Sequence, residues 1–270
     1  MNPMTTDLVS RLLDDLGAEK SDVVGVLASR PEPVWSVETP AVGWTVHDQV
    51  AHLAHLDAVT ALAVSDPRAF VDLRDSRPDR QRYLDEIGPA NRWRDGAEML
   101  RWWSESQDAL RAAALNAAPG IRVPWFGPSM SLASKLSARI METWAHGQDV
   151  VDALGEHRVP TSRLHHVARL GVLALPHSFA GRGLPVPETP VRVELSAPDG
   201  RSTWSWGPVD APDVVRGPAL DFCLVVTRRR HLADTDLEVT GEVATAWMPI
   251  AQAFAGPPGT GRRPGQFPRR

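Results

Sequence analysis

Apolar residues recur at intervals of three and four from residue 6 to about residue 154, the period that turns one stripe of a helix toward a core. Leu8, Leu12, Leu16, Val23 and Leu27 mark a first long amphipathic segment, which stops before Pro31 and Pro33. A second starts at Thr45 and runs through Val50, Leu53, Leu56 and Ala61 to about Ser65. The Thr45 hydroxyl can cap its first turn, with Asp48 three residues on as an imperfect capping-box partner. The charge-rich residues 67–88 hold one or two shorter helices. Residues 97–115 and 131–154 supply two more long ones, separated by the turn-rich AAPGIRVPWFGPS. Four long amphipathic helices connected in this way predict a four-helix bundle.

Beyond Gly155 the pattern changes. Residues 163–179 predict a further helix, but VRVEL (191–195) and STWSW (202–206) alternate at period two with Asp199-Gly200 between them, the signature of a hairpin. A helix at about 218–230, a short strand around 237–240 and a final helix over 242–254 follow. The fold class is therefore α+β, with a helical bundle over residues 1–155 and a small α+β domain over 156–255. The Pro/Gly/Arg-rich tail 256–270 is expected to be extended or mobile. There is no internal repeat.

With 43% apolar and 23% charged residues, the composition is that of a globular protein and excludes wholesale disorder or a coiled coil. Only Lys20 and Lys135 are lysines, against 27 arginines, a bias that fits GC-rich coding. A net charge of −4 gives no electrostatic case for nucleic acid or an anionic membrane surface, which makes DNA binding the weakest functional class. The single cysteine, Cys223, cannot form an internal disulfide. The N-terminal MNPMTTDLVSRLLDD lacks the layout of a secretory signal, and apolar runs such as GVLAL and FCLVV are too short to cross a bilayer. The expectation is a cytoplasmic protein without a membrane span. Cys223, inside DFCLVV, reads as a buried, inert thiol.

Three ligand-type residues stand out: His52 in VAHLAHLD, and Glu142 with His146 in METWAHGQDV. Glu142 and His146, four apart, project from one helical face. With His52 from another helix they give three ligands for Zn²⁺ or a similar divalent ion and leave a position open, the arrangement of a catalytic rather than a structural site. Imidazole and carboxylate accept Zn²⁺, Ni²⁺, Fe²⁺ and Mn²⁺ alike. His55, Asp57 and Asp149 lie close by in sequence, placed to accept a spare imidazole N–H and orient the rings. On spacing alone the competing reading is ordinary surface or core polar residues, because Glu-x-x-x-His is common in helices and the chain has nine histidines. Trp44 and Trp144 beside these motifs are core residues or pocket walls. Arg228 and Arg229 complement a helix C-terminus, or one of them turns toward a cleft between the domains to hold a carboxylate.

The segments WTVHDQVAHL (44–53) and METWAHGQDV (141–150) resemble the metal-binding N-terminal domain of mycothiol-dependent maleylpyruvate isomerases, relatives of the DinB-like four-helix metalloproteins. The second half, with DFCLVVTRRRHLADTDLEVTG, resembles a two-domain branch of that superfamily more than the isomerase itself. The resemblance places the family's metal ligands on His52, Glu142 and His146. It implies thiol chemistry, in which a low-molecular-weight thiol, mycothiol, loses its proton at the metal and attacks an electrophilic small molecule. Staying attached makes an S-transferase; adding to a double bond and leaving again makes a cis–trans isomerase. The departure of the second half from the isomerase pattern favours S-transfer. The alternatives are a metal-water hydrolase and a non-catalytic metal-binding regulator. The expected partners are the thiol and its electrophile, for a monomer or homodimer.

Overall fold

The computed structural model describes residues 3–267, which divide into two compact units at Arg158/Val159. The first holds α1 (Pro3–Leu27), α2 (Val46–Ser65), α3 (Pro67–Asp75), α4 (Arg80–Asp85), α5 (Ile87–Ala90), α6 (Gly96–Leu115), a two-residue antiparallel pair β1 (Arg122–Val123) and β2 (Met130–Ser131), and α7 (Leu132–Ala153). Helix α2 packs on α6 and α7, and α1 packs on the same two from the other side. These four long helices close into a bundle. Most of the apolar stripe of the first segment faces inward: Val9, Leu12, Leu16, Val23 and Leu27 are buried, the last three almost completely, whereas Leu8, expected on the same stripe, is exposed near the start of the helix.

Helix α2 is buried on nearly all sides, polar residues included, so its start is tightly specified. Thr45 Oγ1 accepts from the Asp48 amide at 3.3 Å and Asp48 Oδ2 accepts from the Thr45 amide at 2.9 Å, a complete capping box. Arg92 donates Nη2 to both Asp48 oxygens at 2.9 Å. Gly88 makes room for this cluster, since a Cβ there would lie 2.1 Å from Asp48 Oδ1. The charged stretch after α2 forms three short helices, one more than its pattern suggests, because Pro67 opens the first and Asp79 caps the second.

The second unit holds α8 (Leu164–Leu173), α9 (Leu175–Ala180), β3 (Val191–Ser196), β4 (Thr203–Trp206), β5 (Asp213–Pro218), α10 (Ala219–Val226), β6 (Glu238–Thr240) and α11 (Glu242–Trp247). Its sheet has the order β4-β3-β5-β6. The hairpin β3–β4 is present, with Gly200 in the left-handed region (φ 67°) at its turn. Strand β5 is new relative to the sequence pattern and runs parallel to β3.

Three helices are shorter than the periodicity implies. The helix over 163–179 is two, because Pro176 cannot donate to the preceding turn and starts α9 instead. The helix over 218–230 ends at Val226, and Arg228 takes a left-handed φ of 65°, so the arginine run lies beyond the helix. Helix α11 passes into a 3₁₀ turn, Met248–Ile250, at Pro249. Residues 256–267, expected to be extended or mobile, are tied to their own unit: Arg228 donates to Gly259 O at 2.6 Å and Gln252 to Gly256 O at 3.1 Å. Cys223 is fully buried on α10. Among the described residues no helix is long and apolar enough to cross a membrane.

Candidate metal centre

Helices α2 and α7 lie side by side and bring His52, Glu142 and His146 together, with one potential ligand atom of each within 4.8 Å of the others. The two imidazole rings are 4.5 Å apart between centroids. His146 Nε2 faces Glu142 Oε2 at 3.2 Å along the i, i+4 row of α7. Trp44, just before the α2 cap, covers both rings, edge-on to His52 at 5.2 Å and stacked on His146 at 5.7 Å.

The far side of His146 is anchored by a hydrogen bond. Its Nδ1 bonds to Gln49 Oε1, an acceptor, so Nδ1 carries the proton. Gln49 Nε2 in turn donates to Thr39 Oγ1 at 2.9 Å, and that hydroxyl donates to the Trp44 carbonyl at 2.8 Å. This chain orients the Gln49 amide and sets His146 Nε2 against the Glu142 carboxylate. A proton or a metal cation shared between that nitrogen and the carboxylate satisfies both. Burial, then the neighbouring His146, holds His52 well below its ordinary pKa of 6.5, so the ring is neutral, and its Nδ1 is buried without a hydrogen-bond partner. Burial pushes the Glu142 carboxyl upward, but His146, His52 and Arg139 outweigh it and keep the group below the usual carboxylate range. A neutral His52 and an ionised Glu142 are protonation states a divalent ion requires, and the donor set of two imidazoles and a carboxylate fits such an ion.

The other candidates fall elsewhere. Asp57 does not reach the imidazoles; it is fully buried in an ion pair with Arg139 (2.8 Å) and accepts from Trp103 Nε1 at 3.0 Å. His55 bonds to Tyr83 Oη, and burial pushes it down to about 4. Asp149 is completely buried on α7. Trp144 is a core residue two positions from Glu142, with the Arg158 guanidinium 5.9 Å from its ring and donating to its carbonyl. Within the second unit, Arg228 donates to the Pro249 and Gly259 carbonyls and Arg229 to the Thr227 carbonyl.

Sequence reasoning missed Gln49, Thr39 and Arg92. The signal for Gln49 was present, since it precedes His52 by three residues and shares its helical face. A cavity of about 230 Å³ opens beside the centre, lined by Trp44, Asp48, His52, Ile87, Pro89 and Arg92 among others.

Fold and site together define a four-helix bundle that presents two imidazoles and a carboxylate on adjacent helices. Residues 16–151 match the family described as mycothiol maleylpyruvate isomerase N-terminal domain, and the chain belongs to it. Residues 187–240, from β3 to β6, match a second model, described as wyosine base formation. Uncharacterized proteins from two strains of Mycobacterium tuberculosis are 43% identical over 249 residues, covering 92% of this chain and 96% of their own. Among solved structures, the crystal structure of the mycothiol-dependent maleylpyruvate isomerase is similar with a TM-score of 0.55 at 15% identity, over 82% of this chain and 90% of that one. A histidine-to-alanine mutant of that isomerase matches equally, at 14% identity. At such identities the likeness establishes the fold. That likeness spans 82% of the chain, while the 43% identical mycobacterial proteins and the separate match over residues 187–240 fit a branch of the superfamily distinct from the isomerase.

Proposed function

We propose that this protein is a divalent-metal enzyme that uses a low-molecular-weight thiol, mycothiol, in the cis–trans isomerisation of an electrophilic unsaturated acid. The observation that carries the reading is the convergence of His52, Glu142 and His146 on one point, in a chain of the mycothiol maleylpyruvate isomerase family. The three side chains hold the ion, for which zinc suits the donor set and nickel, iron or manganese are also accepted. A divalent ion supplies Lewis acidity, which favours the thiolate form of a thiol.

The protein contributes the rest. Gln49 keeps the proton on Nδ1 of His146, so that Nε2 stays free to ligate. Trp44 forms an apolar wall over both imidazoles and keeps water from that side. His52, neutral through burial, ligates without first releasing a proton. The cavity bounded by His52, Trp44 and Arg92 gives a small molecule access to the centre.

Isomerisation is preferred to S-transfer because the family matched over residues 16–151 takes its description from an isomerase. The test has two parts. Elemental analysis of the purified protein should find a divalent metal that His52→Ala removes. Calorimetric titration of the metal-loaded protein with mycothiol should show binding, and an unsaturated oxo acid should isomerise without consuming thiol. Thiol consumed in proportion to product would mean S-transfer. Metal content unaffected by His52→Ala would refute the site.

A further inference from the structure

The seam between α2 and α7 carries the candidate ligands. The seam across the bundle from it, between α1 and α6, is the least closed of the four. Near one end Lys20 Nζ donates to Ser104 Oγ at 3.3 Å, and near the other Arg111 Nη2 donates to Asp14 Oδ1 at 2.9 Å. Between these two bridges Gly17 contributes no side chain, and a cleft of about 260 Å³ remains. Leu13 and Leu16 form its floor, and Lys20, Gln107, Asp108 and Arg111 border it.

Three groups around this cleft lack partners. Gln107 is 7% exposed, and its Nε2 is buried without a hydrogen bond, a state that costs more than an ordinary hydrogen bond contributes. The same amide borders the opening, since Oε1 lies 3.9 Å from the point where a Cβ on Gly17 would stand. Lys20 and Asp108 make no ion pair among the described residues, with each other or with anything else. Asp108 follows Ser104, the Lys20 partner, by one turn of α6, a rise of about 6 Å. The remaining polar wall, Ser21, spends its hydroxyl proton on the Gly17 carbonyl at 2.9 Å.

We propose that the α1–α6 cleft binds a free zwitterionic α-amino acid with an apolar side chain. A simple anion would meet Lys20 but face Asp108, and a simple cation would do the reverse. A zwitterion satisfies both through charge-assisted hydrogen bonds, its carboxylate toward Lys20 and its ammonium toward Asp108. The Gln107 amide, donor and acceptor at once, bonds between the two charges. The apolar side chain rests on Leu13 and Leu16 in the space that Gly17 leaves. The cleft uses none of the three candidate metal ligands and does not depend on the function proposed above.

The test is a ligand-observed NMR titration of the full chain with L-leucine as probe. Two truncated controls are 4-methylpentanoate, which lacks the ammonium, and 3-methylbutylamine, which lacks the carboxylate. Leucine should bind at least tenfold more tightly than either. Lys20→Met should reduce leucine to the affinity of the amine, and Asp108→Asn should reduce it to that of the acid. Gly17→Met fills the cleft from a position whose Cβ meets no atom nearer than 3.9 Å. It should abolish binding while melting at the same or a higher temperature than wild type, because Gly is a poor helix former. A truncated control that binds as tightly as leucine, no binding of leucine, or leucine binding that survives Lys20→Met or Gly17→Met overturns the site. Amino acids also chelate metals, so the titration is repeated with His52→Ala. Binding retained there supports the cleft; binding lost there but retained in Gly17→Met places the amino acid at the metal and overturns it.

Discussion

At the scale of single residues, the side chain that governs the candidate centre is Gln49, which touches one ligand and fixes its tautomer. Replacing it with Leu leaves the Nδ1 proton of His146 without an acceptor. Metal affinity, measured by chelator competition, should fall about 10- to 100-fold, and nitrogen-15 spectra of the metal-free protein should show the His146 proton shared between both ring nitrogens. Gln49→Glu, which keeps an acceptor, should restore the single tautomer. A second residue-scale consequence concerns pH. In the fold, His55 is pushed down from 6.5 to about 4 and Lys135 from 10.5 to about 6. The unfolded chain therefore binds more protons than the folded one between about 4 and 6.5 for His55, and between about 6 and 10.5 for Lys135. Stability rises with pH wherever the unfolded state holds the extra proton. Denaturant midpoints should climb from acid toward alkaline pH, and Lys135→Met should flatten the part of the slope above pH 6.

At the scale of elements, the pairing of α2 with α7 decides whether a centre exists at all. One buried ion pair, Asp57 with Arg139, ties these helices one to two turns from His52 and Glu142, and Arg139 Nη2 also donates to the Leu53 carbonyl at 3.3 Å. Removing one partner strands a buried charge, so Arg139→Met should cost about 3–5 kcal/mol in urea unfolding. The double variant Asp57→Leu, Arg139→Met should recover much of that loss, because no charge is then left unpaired. The helix ends show how far local signals reach. Thr45 and Asp48 are legible in sequence as a cap. The clamp of Arg92 on Asp48 is not, because the two residues are 44 positions apart and meet only through the turn at Gly88.

At the scale of the molecule, all three candidate ligands lie before Arg158, inside one compact unit. Residues 1–158 expressed alone should fold with helical circular dichroism and bind the same metal stoichiometry as the full chain. A fragment that folds but binds none would show that the second unit supplies a necessary group.

What the amino-acid order determines by itself is whatever depends on near neighbours. The four amphipathic helices, the Thr45 cap, the β3–β4 hairpin and the shared face of Glu142 and His146 all follow from spacings of two to four residues, which backbone geometry fixes locally. Strand β5 was not legible, because Asp213, Arg216, Gly217 and Pro218 are poor strand formers and only pairing with β3 makes them extended. The same limit applies to the centre. His52 could be nominated from a motif, but Asp57 had an equal claim to serve it until packing gave that carboxylate to Arg139 and Trp103. Gln49 acquires its meaning only where α2 and α7 come together. Tertiary structure decides these points because a hydrogen bond or an ion pair is a relation between groups far apart in the chain, and local periodicity carries no record of it.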